Sequence, residues 1–442
     1  MARALEPETD DARVETDVLP RGTNVRRLPA GDISVDAHAA TGGTFRSLRH
    51  RNYRLLFIGT LFSSGGLWLQ QVTINYLAFA LTGSSTIVGL ANGARSVPLF
   101  LAPLGGVMAD RFDKKKLLTF TQAAQAVLTL IFGLLIVSGW LQIWHIFAFS
   151  LLSGLAWALN MPLRQSIVPI TVPRADLMNA MALNSAGFNT TRILGPALAG
   201  YMIARVGAGE NFLIQAFAYT VVTVLVLRLS LPASLNAGQA HGSAMQNLRE
   251  GAAFVWQNRV LRVQMMLALV PVLISLPYIA ILPQFNAEVL DGSPSTFGLL
   301  MAAPGIGAVV ATLFVASGRD DVRYGMMLLV ALFALGLALV ALSFATTLPT
   351  VLAMLVLMGG AQMVYMTASQ TIVQLSIPDE YRGRVMGIYM LNQGMLPLGS
   401  MFAGTLADVY SASWALVIMG ILASSFAMIF FVGAGSVRRL RV

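Results

Sequence analysis

TGSSTIVGL (82–90) returns later in the chain as DGSPSTFGL (291–299). Two further pairs follow in the same order: QSIVPITVP (165–173) with QTIVQLSIP (370–378), and LGPALAG (194–200) with LGSMFAG (398–404). The three separations are 209, 205 and 204 residues. Ordered matches at a nearly constant separation make the chain a tandem of two similar halves.

Composition says what the halves are made of. Of 442 residues, 56% are hydrophobic and only 11% charged, with a mean hydropathy of +0.71. Soluble domains carry roughly 25% charged residues, so the chain is an integral membrane protein. A spanning helix takes about 20 mostly apolar residues. Twelve such stretches occur, near 53–81, 86–109, 115–138, 141–171, 177–204, 211–231, 262–285, 295–317, 325–344, 350–377, 384–408 and 413–434. Six spans fall in each half, and an even number sets both halves in the same orientation. The expected fold is therefore an all-α polytopic bundle of two parallel six-helix repeats.

Charge sets the sidedness. Arg46, Arg49, Arg51 and Arg54 precede span 1, Arg111 and Lys114 to Lys116 follow span 2, and Arg174 follows span 4. Arg249, Arg259 and Arg262 lie between spans 6 and 7. Arg319 and Arg323 follow span 8, Arg382 and Arg384 follow span 10, and Arg438, Arg439 and Arg441 follow span 12. The opposite loops hold one cation, Arg205. Cations near span ends mark the cytoplasmic side, which puts both termini in the cytoplasm; with 26 of the 29 cations Arg and three Lys, the bias suggests a bacterial source and so the bacterial inner (cytoplasmic) membrane. The net charge of +9 belongs to this asymmetry and does not imply a nucleic-acid partner.

The organisation read from the chain is a disordered tail at 1–45, a six-helix bundle at 46–231 and a linker at 232–261. A second bundle at 262–434 and a basic tail at 435–442 follow. LREGAAFVWQNRVLR (248–262) interleaves apolar and basic residues, as an amphipathic interfacial helix does and as a plain loop helix also can. The chain has no cysteine, so neither a disulfide framework nor a sulfur-ligated metal is expected. No nucleophile–base set, metal-ligand cluster or phosphate-cradling loop is present, so neither an enzyme nor a cofactor is expected.

GGVMADRFDKKKLL (105–118) resembles the signature loop of the major facilitator superfamily, G-x-L-A-D-R-x-G-R-K. Gly106, Ala109, Asp110, Arg111, Lys114 and Lys115 match, while Met108 and Asp113 depart from it. RNYRLLFIG, MPLRQSIVP, ALNSAGFNTTRILGPALAG and PDEYRGRVMG extend the resemblance from about residue 46 onward to the enterobactin-exporter-like branch. That branch includes siderophore exporters and drug–proton antiporters. The resemblance implies a conformational gate at Gly106, Asp110, Arg111 and Lys114, with Asp110 docking on the N-terminus of span 11. It also implies an antiporter-type motif at Thr191, Gly195, Pro196 and Gly200, although Thr191 and Ala199 stand where that motif has glycine. Small-residue spacing of this kind is also ordinary helix packing.

Arg192 lies near the midplane of span 5, Arg95 at similar depth in span 2, and Arg164 about 14 Å from the cytoplasmic surface in span 4. No Asp or Glu lies deep in any span, and an intramembrane cation is costly without protein, water or a partner around it. Two readings stand. The arginines bond to carbonyls and to Asn160, Asn184, Asn189 or Gln165 and hold helices together, or they face the cavity and meet an anionic substrate. Resemblance favours structure for Arg164 and Arg192. Gln71 and Asn75 on span 1, Asn160 on span 4, and Gln362, Tyr365 and Ser369 on span 10 are the further cavity candidates. For proton coupling, Asp110, Asp408 and His145 are the titratable groups left, and His145 beside Trp residues suits a membrane boundary.

The reading is a proton-coupled efflux transporter working as a monomer by alternating access on a siderophore-like or amphipathic small molecule. The rivals are a lysophospholipid transporter or flippase on the same fold and a non-transporting membrane sensor.

Overall fold

The structure is a computed structural model that describes residues 43–101, 113–231, 244–317 and 323–433. The described elements are helical. Span 1 is Arg51–Thr82, closed by Gly83 in the left-handed conformation (φ 64°). Span 2 begins at Ser85–Ser96, followed by Lys114–Val137 (span 3), Ile143–Thr171 (span 4), Leu177–Val206 (span 5) and Ala208–Leu227 (span 6). A linker helix, Ala244–Gln257, comes next. The second half has span 7 at Arg259–Val289, Pro294–Ala316 (span 8), Tyr324–Ser343 (span 9) and Leu348–Leu375 (span 10). Span 11 comprises Arg382–Leu391 and Leu396–Val409, and span 12 is Ala412–Gly433.

Three spans expected to be continuous are broken. Span 2 leaves the α-helix at Ser96 and tightens into a 3-10 segment, Val97–Leu101, where Pro98 lacks the N–H an α-helix needs. Residues 102–112 of that expected span lie outside the described residues. Span 7 passes through a π-helical turn, Pro271–Ser275, in which the Leu276 N–H reaches the Pro271 carbonyl at 2.7 Å. Span 11 is interrupted by a 3-10 turn at Asn392–Met395, and its second segment restarts with Pro397 in the first turn. Among the described residues, nine helices are long and apolar enough to cross a membrane. Spans 2 and 11 fall outside that set because their described α-helical pieces are short, 12 residues in span 2 and 10 and 14 in span 11. Span 5 falls outside because Asn184, Asn189, Arg192 and their polar neighbours lower its hydropathy. The linker helix stops at Gln257, and the Asn258 side chain accepts from the Val260 and Leu261 N–H groups to start span 7, three residues earlier than the sequence suggests.

Packing follows the sequence repeat. Spans 3 and 6 pair in the first half and spans 9 and 12 in the second. Span 2 packs on span 4 and span 8 on span 10. The halves meet along two seams, span 2 with span 11 and span 5 with span 8.

Four of the repeated glycines are seam residues. A Cβ on Gly404 would collide with the Ser85 carbonyl. At the equivalent place a Cβ on Gly200 would stand 2.5 Å from the Pro294 carbonyl. Gly89 would collide with the Ser400 carbonyl, and its counterpart Gly298 would come within 2.7 Å of the Gly200 Cα. So two of the three repeated stretches are alike between the halves because their glycines let a backbone from the other half approach. Both seams lie toward the face opposite the basic loops, called here the acidic face.

The largest apolar core belongs to the second half, with Tyr278, Phe285, Phe297 and Leu300 fully covered. Val72, Ala199 and Ile203 join it from the first half.

Candidate functional site

The first half carries a polar interior. Arg164 uses its whole guanidinium. Its Nε donates to Asn160 Oδ1 at 2.9 Å, Nη1 to Thr60 at 2.8 Å, and Nη2 to Ser63 at 2.7 Å and the Gly59 carbonyl at 3.4 Å. Asn160 in turn donates to Thr121 at 3.1 Å. The arginine therefore straps span 4 to span 1, and Asn160 adds span 3. Close by, Gln70 and Gln125 both donate to Ser153 at 2.8 Å. Ser63, Thr121, Gln122, Gln125, Asn160 and Tyr219 line a cavity of about 20 Å³, room for about one water.

Arg95 sits in a second network. Its Nη1 donates to Gln71 Oε1, whose amide donates to Asn92 Oδ1 and, at 3.3 Å, to Asn75 Oδ1. The structure thus brings together Gln71, Asn75 and Arg95, with Asn92 as an added partner. Arg95 is half-buried and gives Gln71 one of its three nitrogens.

Arg192 differs from both. Among the described residues no hydrogen bond or ion pair reaches its guanidinium, and the residue is half-buried. It faces the second half. Its carbonyl lies against Gly305 of span 8, and the Tyr278 phenol of span 7 is within electrostatic reach. Asn189, one of its expected polar neighbours, donates to the Ser185 carbonyl instead.

Span 10 is less polar in practice than its sequence suggests. The Tyr365 hydroxyl donates to the Leu267 carbonyl at 2.7 Å, just before the π-turn of span 7. Ser369 accepts from Gln264 at 2.7 Å and pairs with Tyr389 at 3.0 Å. These groups tie spans 7, 10 and 11 together. Gln362 is half-buried on the same helix.

The motif residues divide in two. Gly106, Asp110 and Arg111 lie outside the described residues. Lys114 opens span 3, where Asp113 is the N-cap and accepts from the Lys116 N–H at 2.9 Å. In span 5, Gly195 packs under Trp68 of span 1, Gly200 forms the seam with span 8, and Thr191 bonds back to the Phe188 carbonyl. His145 caps span 4: its Nδ1 accepts from the Gln142 N–H at 3.0 Å, and its ring lies against Trp144.

A second polar cluster joins the halves at the acidic face. Asp408, at the end of span 11, accepts from Ser84 Oγ at 2.5 Å, the Ser85 N–H at 2.7 Å and the Thr86 N–H at 3.0 Å. These donors form the first turn of span 2. Ser85 Oγ donates to Gln284 of span 7 at 2.7 Å. Sequence reading finds Asp408 as an ionisable group. Its partners, more than 300 residues earlier, have no local signal beyond the Ser-Ser-Thr helix start.

Residues 42–435 match the transmembrane secretion effector family. The chain is similar to the staphyloferrin A transporter of Staphylococcus aureus (strain NCTC 8325 / PS 47), 27% identical over 85% of this chain and 93% of that protein. It is 26% identical to the multidrug efflux pump Tap of Mycolicibacterium fortuitum, over 80% of this chain and 88% of the pump. Among solved structures, the nucleoside transporter NupG shares the fold with a TM-score of 0.69 at 14% identity, covering 87% of this chain and 98% of that one. A bacterial homologue of the human lysosomal transporter Spinster does so with a TM-score of 0.65 at 16% identity, covering 88% and 96%.

Proposed function

Since the chain belongs to the transmembrane secretion effector family, and so to the major facilitator transporters rather than to the enzymes, we propose that it is a proton-coupled exporter of an anionic, siderophore-like small molecule. The basic loops face the cytoplasm in this reading, and the acidic face is the exterior. The two halves, 46–231 and 262–434, rock about a central site. Contact of the halves along both seams at the acidic face supports a conformation closed to the outside, the state that loads cargo from the cytoplasm.

The observation that carries the substrate class is the contrast among three intramembrane arginines. Arg164 is saturated by protein acceptors, which supports a structural role. Arg95 keeps two nitrogens free of Gln71, and Arg192 lacks a partner among the described residues. Neither has a carboxylate deep in the spans to balance it. A cargo carboxylate or phosphate docking there would supply the missing charge, as a bidentate arginine–anion contact does. The multidrug pump among the relatives keeps amphipathic cargo within this reading.

Binding of fluorescent anionic and cationic probes to the purified protein tests it. Arg95→Gln and Arg192→Gln are expected to weaken the anions about tenfold or more each and to leave the cations unchanged. Equal loss for both charge types would remove the anion site. Preference for a lysophospholipid over a soluble anion would move the cargo to lipids.

A further inference from the structure

The end of span 11 and the start of span 2 hold an arrangement that the transport reading does not use. We infer that Asp408 is an outer latch that responds to the proton concentration outside, holding the two halves together at the acidic face while ionised and releasing them when protonated. The inference rests on the reading that this face is the exterior and that the halves rock.

The geometry requires the ionised form. Three donors converge on one carboxylate, two of them backbone N–H groups of a helix first turn. Those N–H groups cannot turn away and have no partner within their own helix. A carboxylate satisfies all three with both oxygens and sits at the positive end of the helix dipole. A neutral acid would carry a proton on one of those oxygens. It would lose at least one bond and the charge assistance on the others. The lost bonds all cross between the halves, so protonation weakens the closed interface and leaves each half internally unchanged. The bond from Ser85 to Gln284 adds a neutral contact from span 7 that pH does not touch.

The surroundings leave Asp408 as the group that titrates the seam. Span 2 presents Ser84, Ser85 and Thr86 at this end, and its one charge, Arg95, is nine residues further along the helix. Span 7 presents Gln284 and Glu288. The Glu288 carboxylate accepts from Gln284 at 2.6 Å and from the Ala412 N–H at 3.2 Å, so it caps span 12 within its own half. Span 12 has no ionisable residue among its described positions. Asp291 lies in the loop after span 7, and Tyr410 follows Asp408. Asp408 itself is exposed, so protons from outside reach it.

The repeat shows that the latch was added to one seam. By the offset of the LGPALAG and LGSMFAG segments, Asp408 corresponds to Ala204 in span 5. The equivalent seam, at the start of span 8, is sealed by Gly200 against Pro294 and Gly298. Close backbone packing is common to both seams, through Gly89 and Gly404 on one side and Gly200 and Gly298 on the other, and the carboxylate contact is the feature particular to the first. One seam is therefore indifferent to pH and the other sensitive, which gives acid outside a handle on opening.

The test uses spin-label distances in nanodiscs. With no native cysteine, Trp140→Cys and Phe344→Cys place labels on exposed loops of the two halves, at 77% and 74% exposure. Wild type is expected to shift toward long distances, severalfold in population, as pH falls from about 7 to about 3, most of the change coming below about pH 4 because the closed contacts favour the ionised carboxylate. Asp408→Asn is expected to show the long distance at both pH values, and Glu288→Gln to behave as wild type. Gly89→Ala, which wedges the same seam without touching charge, reports whether the halves can part at all. Widening by Gly89→Ala with no effect of Asp408→Asn overturns the latch and leaves the rocking intact. No widening by Gly89→Ala overturns the rocking itself, and the latch with it.

Discussion

Replacing Arg164 by Gln should cost stability and little else. The side chain makes two short bonds across to span 1, to Thr60 and Ser63, and one longer bond to the Gly59 carbonyl. Hydrogen bonds between membrane helices average about 0.6 kcal/mol and reach about 1.7 kcal/mol. Three of them come to about 2–5 kcal/mol, and a glutamine can restore at most one. The bond to Asn160 runs within span 4, so it adds little to the contact between helices. The expected loss is thus about 1–3 kcal/mol, measured by reversible unfolding of the purified protein in mixed micelles. Arg192→Gln, which removes an intramembrane cation with no such partners among the described residues, should lose no stability. The reasoning fails if Arg164→Gln unfolds like wild type while cargo binding disappears, since Arg164 would then be a ligand.

Three further outcomes follow from other contacts. His145→Ala removes the side chain that caps the Gln142 N–H and should cost about 0.5–1 kcal/mol, with the pH profile of transport unchanged; a shifted profile would make His145 a proton carrier. Tyr365→Phe should cost about 1 kcal/mol by freeing the Leu267 carbonyl, and probe affinity should hold; a loss of affinity would place the hydroxyl in the cargo site. Gly404→Val drives a side chain into the Ser85 carbonyl. A single cysteine at Ser400, buried in that seam, should then react faster with a membrane-impermeant maleimide added to the acidic face.

The seams were legible in the sequence, though not as seams. Gly89, Gly200, Gly298 and Gly404 stand out because the halves resemble each other there, and close backbone contact explains why those positions repeat. The breaks in spans 2, 7 and 11 were marked by Pro98, Pro271 and Pro397. A proline announces a missing donor, however, and leaves open whether the helix tightens to 3-10 or widens to a π-turn. The polar interior of the first half was largely hidden. Gln70, Gln125 and Ser153 are individually unremarked in an apolar helix, and they signify only when three helices bring them together. The difference between Arg164 and Arg192 was hidden for the same reason. Both are lone cations in apolar spans, and their separate roles depend on which neighbouring helix offers oxygen atoms. Thr60 and Ser63 lie more than 100 residues from Arg164, beyond the reach of any local pattern.

The central claim is export of an anion driven by protons, and the most direct measurement is proton flux in proteoliposomes under an imposed pH gradient. The account predicts flux when a carboxylate-rich siderophore is present, loss of that flux in Arg192→Gln, and retention of it in a folded Arg164→Lys control. Flux with lipophilic cations alone, unchanged by Arg95→Gln and Arg192→Gln, would contradict it.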